Sequence, residues 1–260
     1  MEFRKQPSGR AEGNWKLFVK HHEKRNKWVT EKDVDYLVIG DSITFQWSRS
    51  TRKIGEKYYG PRKAVNIASS GDRTQHMLWY IQNGGLDGMK DRNPKVVQLV
   101  IGTNNRGNPE LEGRDTAAGI LALLKEIHHR LPNSKILLMA LFPRGWAPDD
   151  EGRLRNNQVN EIIKTYADGE TVIWVDLKDL YLDKDGNLDK ELIKDGIHPT
   201  SKGYVAWAEA MEPTIKRLLG EKRHTAGVTD NPDPQLRRNW ATCKQRHAGA
   251  HLTNPTGFCA

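Results

Sequence analysis

The sequence predicts a three-layer α/β sandwich, in which one five-stranded parallel sheet carries helices on both faces. Short apolar runs alternate along the chain with longer segments whose apolar residues recur at helical spacing. The length of 260 residues suits one α/β domain with terminal extensions rather than two full domains. A parallel sheet therefore explains the alternation and the length together.

The first half of the predicted domain holds three strands and one helix. The strand segments are Tyr36–Ile39, Lys63–Ile67 and Val96–Ile101. A helix is predicted over Thr74–Asn83, with Gly84-Gly85 ending it. Ahead of these elements, one helical face is predicted from Trp15, Phe18 and Trp28. We expect that helix to pack onto the domain.

The second half continues the alternation. Asp115 is predicted to cap a helix whose apolar residues, Ile120, Leu123, Leu124, Ile127 and Leu131, recur at helical spacing. The remaining elements are strand Ile136–Leu141, helix Leu154–Tyr166, strand Val172–Val175 and helix Tyr204–Leu219. Five such strands suit the flavodoxin-like order 2-1-3-4-5, which binds ligands beyond the carboxyl ends of the strands.

The composition divides the chain into three parts: a polar, helical extension over 1–34, the domain over 35–220, and a tail over 221–260. The tail has turn-rich segments and no apolar periodicity, so it is predicted to be disordered. The two cysteines, Cys243 and Cys259, both lie in this tail and have no metal-binding spacing around them. They are not expected to contribute to activity.

The net charge of +8 raises the possibility of nucleic-acid binding, but its distribution argues against it. Residues 1–34 carry nine basic and five acidic residues, and residues 221–260 carry six and three. The middle of the chain is therefore nearly neutral. We expect no nucleic-acid partner, and the sequence leaves the oligomeric state open.

The apolar runs are too short to span a bilayer, so no membrane span is expected. The first residues, Met1 to Lys5, lack the apolar stretch of a signal peptide. As given, the chain is expected to be cytoplasmic. A secreted protein whose signal segment had been removed would give the same pattern.

Four short motifs in a fixed order carry the chemistry: Gly40-Asp41-Ser42, Ser70-Gly71-Asp72, Gly102-Thr103-Asn104 and Asp195-Gly196-Ile197-His198. The first three follow predicted strands and therefore belong to the same edge of the sheet. Together they supply a hydroxyl nucleophile, a base, a carboxylate and donors for an oxyanion. This set is typical of an acyl-transfer site.

Ser42 is the predicted nucleophile, His198 the base and Asp195 the carboxylate that orients the base. The spacing of Asp195 and His198 lets one turn present both side chains. The alternatives are that Ser42 caps the following helix, that Asp195 is a turn residue and that His198 is a surface histidine.

Gly71 and Asn104, with the backbone N–H of Ser42, are the predicted oxyanion donors. Gly71 has no Cβ to obstruct a substrate, and Asn104 offers a side-chain amide. The alternatives are that Gly71 serves a turn with positive φ and that Asn104 bonds its own backbone.

No calcium site is expected. The segment Asp183 to Asp189 resembles the opening of a calcium loop, but Leu188 stands where glycine is needed and Lys194 where glutamate is needed.

With these motifs the sequence resembles the SGNH or GDSL hydrolases over roughly residues 34–219. Within that superfamily it is most similar to the catalytic subunits of platelet-activating-factor acetylhydrolase IB and their bacterial relatives. The stretches that carry this similarity are Asn66, Gly71–Trp79, Gly102–Asn105 and Leu141–Gly145. The resemblance implies a flavodoxin-like fold, a Ser42–His198–Asp195 triad and an oxyanion hole that includes Ser42, Gly71 and Asn104. It implies no metal or organic cofactor.

The function expected from the sequence is a serine esterase that cleaves short-chain esters, most simply acetyl esters, through an acyl-enzyme. The substrate would be a small-molecule or carbohydrate ester. Two alternatives stay open: a lysophospholipase or thioesterase that takes longer acyl chains, and a non-catalytic ligand-binding module with the same fold.

Overall fold

Five short strands form one parallel sheet in the order β2-β1-β3-β4-β5, as the sequence predicts. The structure is a computed structural model and describes residues 20, 23–27, 29–30, 33–89, 92–105 and 112–221. The strands are β1 (Tyr36–Gly40), β2 (Ala64–Asn66), β3 (Val96–Val100), β4 (Lys135–Met139) and β5 (Val172–Val175).

Within the described residues, six α-helices have defined ends beside the sheet: α1 (Ser42–Phe45), α2 (Arg52–Tyr59), α3 (Thr74–Tyr80), α4 (Glu112–Arg130), α5 (Glu151–Lys164) and α6 (Ser201–Leu219). The sequence predicts the last four of these helices. It does not predict α1, which has only four residues, or α2, whose glycine and charged residues hide its apolar face.

Alternate residues of each strand point to opposite faces of the sheet and create two cores. Leu37 and Ile39 of β1 belong to one core, which α3, α4 and α5 cover. Tyr36 and Val38 belong to the other core, which includes Trp207 of α6 and residues of α1 and α2. The three predicted layers are therefore confirmed.

Three helix starts differ from the predicted ones. Asp115 is not a cap: α4 begins three residues earlier at Glu112, which leaves the Asp115 carboxylate in the first turn. Negative charge is favourable there because of the helix dipole. The caps of α5 and α6 are Asp150, which accepts from Gly152 N–H at 2.9 Å, and Thr200, which accepts from Gly203 N–H at 3.2 Å.

The segment ahead of β1 packs against the first core. Helical residues 23–27 and 29–30 include Val29, which is buried, and Arg25, whose guanidinium donates to the Ile67 carbonyl at 3.0 Å. The predicted aromatic face of Trp15, Phe18 and Trp28 lies outside the described residues.

Past α6 the described part of the chain ends at Glu221, so all of the predicted tail except this first residue, with Cys243 and Cys259, lies outside the described residues. In the part of the chain that the structure describes, no helix is long and apolar enough to cross a bilayer.

Candidate active site

The carboxyl ends of β1, β2 and β3 bring the first three motifs to one edge of the sheet. The loop after β2 is tied to the end of β1 by a hydrogen bond from Ser69 N–H to the Gly40 carbonyl, at 3.3 Å. The loop after β3 is tied to the loop after β2 by the Asn104 side chain, whose Nδ2 donates to the Asp72 carbonyl at 3.1 Å. The predicted clustering at this edge therefore occurs.

Ser42 is the first residue of α1 and follows β1 through a tight turn. Only glycine fits at position 40, two residues before Ser42, because a Cβ on Gly40 would lie 2.4 Å from the Val100 carbonyl oxygen. Asp41 makes the helix cap by accepting from Ile43 N–H at 3.0 Å. Ser42 is therefore not the cap, and its hydroxyl is left for other partners.

Two side chains from distant elements fix α1 by binding its carbonyl groups. The Tyr204 hydroxyl of α6 donates to the Ile43 carbonyl, and Nδ2 of Asn66 in β2 donates to the Thr44 carbonyl, each at 2.6 Å. Sequence reasoning did not assign either contact, because neither residue stands in a local pattern with α1. The short helix that carries Ser42 is held from both sides.

His198 and Asp195 share one turn ahead of α6. One Asp195 oxygen accepts from the backbone N–H of Ile197 and of His198, and the other accepts from His198 Nδ1 at 2.8 Å. With the proton on Nδ1, Nε2 accepts from the Ser42 hydroxyl at 2.9 Å. Asp195 thus both builds the turn and holds the ring that reaches Ser42.

Two carboxyl groups of the site have shifted pKa values in opposite directions. Burial acts to raise the pKa of Asp195, but hydrogen bonds from the His198 backbone and ring outweigh it and lower the pKa below its ordinary value. The pKa of Asp41 is raised to about 7: burial is the main cause, the nearby Asp72 carboxylate acts in the same direction, and Ile43 N–H and Arg144 act against both. A negative charge is therefore favoured beside His198 and disfavoured next to Ser42.

Gly71 stands in a tight turn that a hydrogen bond from Asp72 N–H to the Ser69 carbonyl closes at 3.2 Å. Its φ of +73° is the conformation that favours glycine, so the turn alone explains the residue type. Among the described residues other than its two chain neighbours, none has a heavy atom within 4 Å of the position that a Cβ would occupy, so this part of the structure leaves space beside Gly71. Asn104 bonds the neighbouring loop through Asp72 and not its own backbone.

The calcium-like segment forms a turn around one carboxylate. Asp183 Oδ1 accepts from the N–H groups of Asp185 and Asn187, each at 2.9 Å. Among the described residues, no group of three or more His, Cys, Asp or Glu side chains is placed to hold a metal ion.

Comparison with known proteins identifies the chain. The model of the GDSL-like lipase/acylhydrolase family matches residues 38–206. The chain belongs to this family. The matched segment of this GDSL-type acylhydrolase contains Ser42, Gly71, Asn104, Asp195 and His198. The protein is therefore a carboxylic ester hydrolase.

The relatives of this GDSL-type acylhydrolase include animal proteins of similar length. It is 33% identical over 200 residues to the platelet-activating factor acetylhydrolase IB subunit beta homolog of Drosophila melanogaster, covering 76% of this chain and 85% of that one. It is 28% identical over 205 residues to the human subunit alpha1, covering 78% and 85%. The crystal structure of a GDSL-like lipase from Bacteroides thetaiotaomicron shares its fold, with a TM-score of 0.60, 17% identity and coverage of 77% and 98%.

Proposed function

We propose that this GDSL-type hydrolase is a serine esterase that removes short acyl groups, above all acetyl, from carboxylic esters. The observation that carries the proposal is the hydrogen-bonded chain Ser42–His198–Asp195, with distances of 2.9 and 2.8 Å. The preference for acetyl is supported by the relatives, which are named acetylhydrolases and which the chain matches over 85% of their length.

In this mechanism His198 Nε2 takes the hydroxyl proton as Ser42 Oγ attacks the ester carbonyl. The tetrahedral intermediate collapses, the alcohol leaves with the proton from His198, and the acyl group stays on Ser42. Water, activated by His198, then releases the carboxylic acid. The Asp195 carboxylate stabilises the imidazolium that forms in each half-reaction.

The oxyanion is stabilised by the backbone N–H groups of Ser42 and Gly71 and by the Asn104 amide. Support comes from the bond between Asn104 Nδ2 and the Asp72 carbonyl, which uses one amide hydrogen and fixes the direction of the other. The open space beside Gly71 gives a substrate room to approach its N–H.

The test is Ser42→Ala, compared with Ser48→Ala, an exposed serine nearby in the chain. Loss of a triad nucleophile lowers kcat by roughly 10⁴–10⁶, so Ser42→Ala should be inactive on p-nitrophenyl acetate with an unchanged melting curve. Quenched wild-type enzyme should carry an acetyl group on Ser42 by mass spectrometry. A Ser42→Ala variant that keeps more than a tenth of the activity would contradict the proposal.

A further inference from the structure

Arg144 follows β4, and its side chain reaches the loop that carries Asn104. Its Nη1 donates to the Thr103 carbonyl at 2.8 Å and lies 3.4 Å from Thr103 Oγ1. Thr103 is buried, so a carbonyl that lost the Arg144 donor would have little access to water. Neither the four motifs nor the mechanism proposed above includes Arg144.

The bond from Arg144 acts on the backbone next to Asn104. The Thr103 carbonyl belongs to the peptide group that joins Thr103 to Asn104, and this group is planar. Fixing its carbonyl therefore restrains the backbone from which the Asn104 side chain starts. At the far end of that side chain, Nδ2 donates to the Asp72 carbonyl at 3.1 Å. Asn104 is thus held at two points, by Arg144 through the backbone and by Asp72 at the amide.

The backbone at Arg144 is itself fixed by Arg153 of α5, which is 4% exposed. The guanidinium of Arg153 donates through Nε to the Arg144 carbonyl at 2.9 Å and through Nη2 to the Gly145 carbonyl at 2.7 Å. Its Nη1 donates to the Gly186 carbonyl at 3.0 Å. A planar guanidinium presents its donors in a rigid fork, so these bonds hold residues 144 and 145 in one place.

The same short segment is bonded to the turn that holds the base. Gly145 N–H donates to the Gly196 carbonyl at 2.9 Å, and Gly196 lies inside the Asp195–His198 turn. Two consecutive residues therefore contact both halves of the proposed site. The Arg144 side chain bonds the loop of Asn104, and the Gly145 backbone bonds the turn of His198.

A glycine of α5 leaves the space that the Arg144 side chain occupies. A Cβ on Gly152 would lie 2.7 Å from Arg144 Nε and 2.8 Å from its Cδ, well inside van der Waals contact. A larger residue at position 152 would therefore displace the Arg144 side chain. Gly152 thus offers a way to move Arg144 without replacing it.

We propose that Arg144 is a positioning residue that holds the Asn104 amide in the direction that the oxyanion requires. Its guanidinium acts through the peptide group between Thr103 and Asn104 and touches neither the substrate nor the reacting atoms. Misplacing such a group by about 1 Å can lower a rate by about 10²-fold. The proposal rests on the proposed esterase function and adds a residue to its machinery.

The test measures kcat and KM for p-nitrophenyl acetate in Arg144→Met, which keeps an unbranched side chain and removes the donor. We expect kcat to fall by about 10- to 100-fold with little change in KM, because the oxyanion forms only after the substrate is bound. Arg52→Met, which removes an exposed arginine of α2, should keep the wild-type kcat.

A double-mutant cycle with Asn104→Ala separates positioning from a general effect on charge or packing. If Arg144 acts through the Asn104 amide, Arg144→Met should change kcat by less than about twofold once that amide is gone. A loss of charge or of packing would slow the enzyme equally whether or not the Asn104 amide is present.

Gly152→Ala provides a second variant that leaves Arg144 in the chain. Alanine is a better helix former than glycine, so α5 should not be weakened, but the Arg144 side chain must move. We expect kcat to fall, again only where the Asn104 amide is present. The matched control is Gly113→Ala in the first turn of α4, where the nearest atom to the new Cβ is the end of the flexible Gln158 side chain, at 3.2 Å. If Arg144→Met does not fold, the cycle with Gly152→Ala decides.

The positioning role is overturned if Arg144→Met folds and keeps the wild-type kcat, or if its loss of kcat is as large without the Asn104 amide as with it. In both cases the wild type still hydrolyses the ester, and the esterase function stands. A wild type that hydrolyses no ester would refute the esterase function, and the role of Arg144 would fall with it.

Discussion

Asp41, next to the proposed nucleophile, is a buried carboxyl group whose burial disfavours its charged form. Its side chain is 1% exposed, and its pKa of about 7 lies far above the ~3.9 of an aspartate in an unfolded chain. Between these two values the folded state binds more protons than the unfolded state. The free energy of unfolding should therefore fall as pH rises from about 4 to 7, and level off above that.

Asp41→Asn should remove this contribution, because an amide keeps an oxygen acceptor for Ile43 N–H and carries no charge. We expect the stability of the variant, relative to wild type, to increase by on the order of a few kcal/mol between pH 4.5 and pH 8. Urea unfolding at both pH values measures it, with Asp149→Asn, at an exposed position, as the control. If wild type and Asp41→Asn show the same pH dependence, Asp41 is ionised in the folded protein.

Asn104→Ala should lower kcat on acetate esters by about 10²–10³ with little change in KM. In the proposed mechanism the Asn104 amide bonds the oxyanion more strongly than it bonds the ground-state carbonyl. Asn104→Asp, which keeps the shape but presents no N–H, should be as slow as Asn104→Ala. Steady-state kinetics on an acetate ester measures kcat and KM of both variants. An effect confined to KM would assign Asn104 to substrate binding.

At this scale the sequence predicts which side chains meet in the candidate site but not the residues that support them. Ser42 follows β1, so its place at the sheet edge follows from the strand order, whereas His198 lies 156 positions further on and is singled out by its spacing to Asp195. Tyr204, whose hydroxyl donates to the Ile43 carbonyl, stands in no such motif. Its contact depends on how α6 packs, which local spacing does not encode.

Among the elements, the end of α6 is joined to the segment after α2 by Arg62, which is 8% exposed. Its guanidinium donates to both carboxylate oxygens of Glu212, at 2.6 and 2.9 Å, and to both of Glu221, each at 2.9 Å. Hydrogen bonds from Arg62 are the main cause that lowers the pKa of both glutamates. Glu221, one residue past the predicted domain end at 220, thus contacts the folded part of the chain.

Glu221→Ala should destabilise the protein by about 1 kcal/mol, because one charged partner of a buried guanidinium is lost while Glu212 remains. For a domain of this size the melting temperature should fall by about 2–4 °C. Glu161→Ala, at an exposed position of α5, should leave it unchanged. Equal melting temperatures for the two variants would show that the Arg62–Glu221 bond adds nothing.

The bounds of the strands and helices were predictable where the apolar pattern of the sequence follows which residues are buried. β5 has the predicted bounds, β1 and β3 differ by one residue at one end, and β2 and β4 differ by one or two residues at both ends. The sequence does not predict α2, partly because α2 contains Gly55 and glycine is a poor helix former. A Cβ there would lie 2.4 Å from the Trp47 carbonyl oxygen. That requirement comes from a tertiary contact, which the sequence does not display.

For the whole molecule, the basic charge lies mostly outside the sheet and its helices. Residues 222–260 carry six basic and two acidic residues, which is half of the net charge of +8. The division of the chain at about 220 stays a prediction, and it has a direct test.

A chain that ends at Glu221 should keep its esterase activity, and its melting temperature should change by less than about 2 °C. It should also elute earlier from a heparin column, because a polyanion attracts the longer chain more strongly. Melting curves and acetate release on both forms provide the measurement. A fall of more than about 5 °C would mean that residues beyond 221 pack on the domain.

The Arg153 contacts have a consequence for exchanging loops in this scaffold. Because the buried guanidinium of Arg153 donates to the carbonyls of Gly145 and Gly186, the two loops that hold these glycines form a single mechanical unit. A loop exchange that transplants only one of them would leave Arg153 donors without their carbonyl acceptors. The two loops and the Arg153 position therefore have to be moved together, as one cassette.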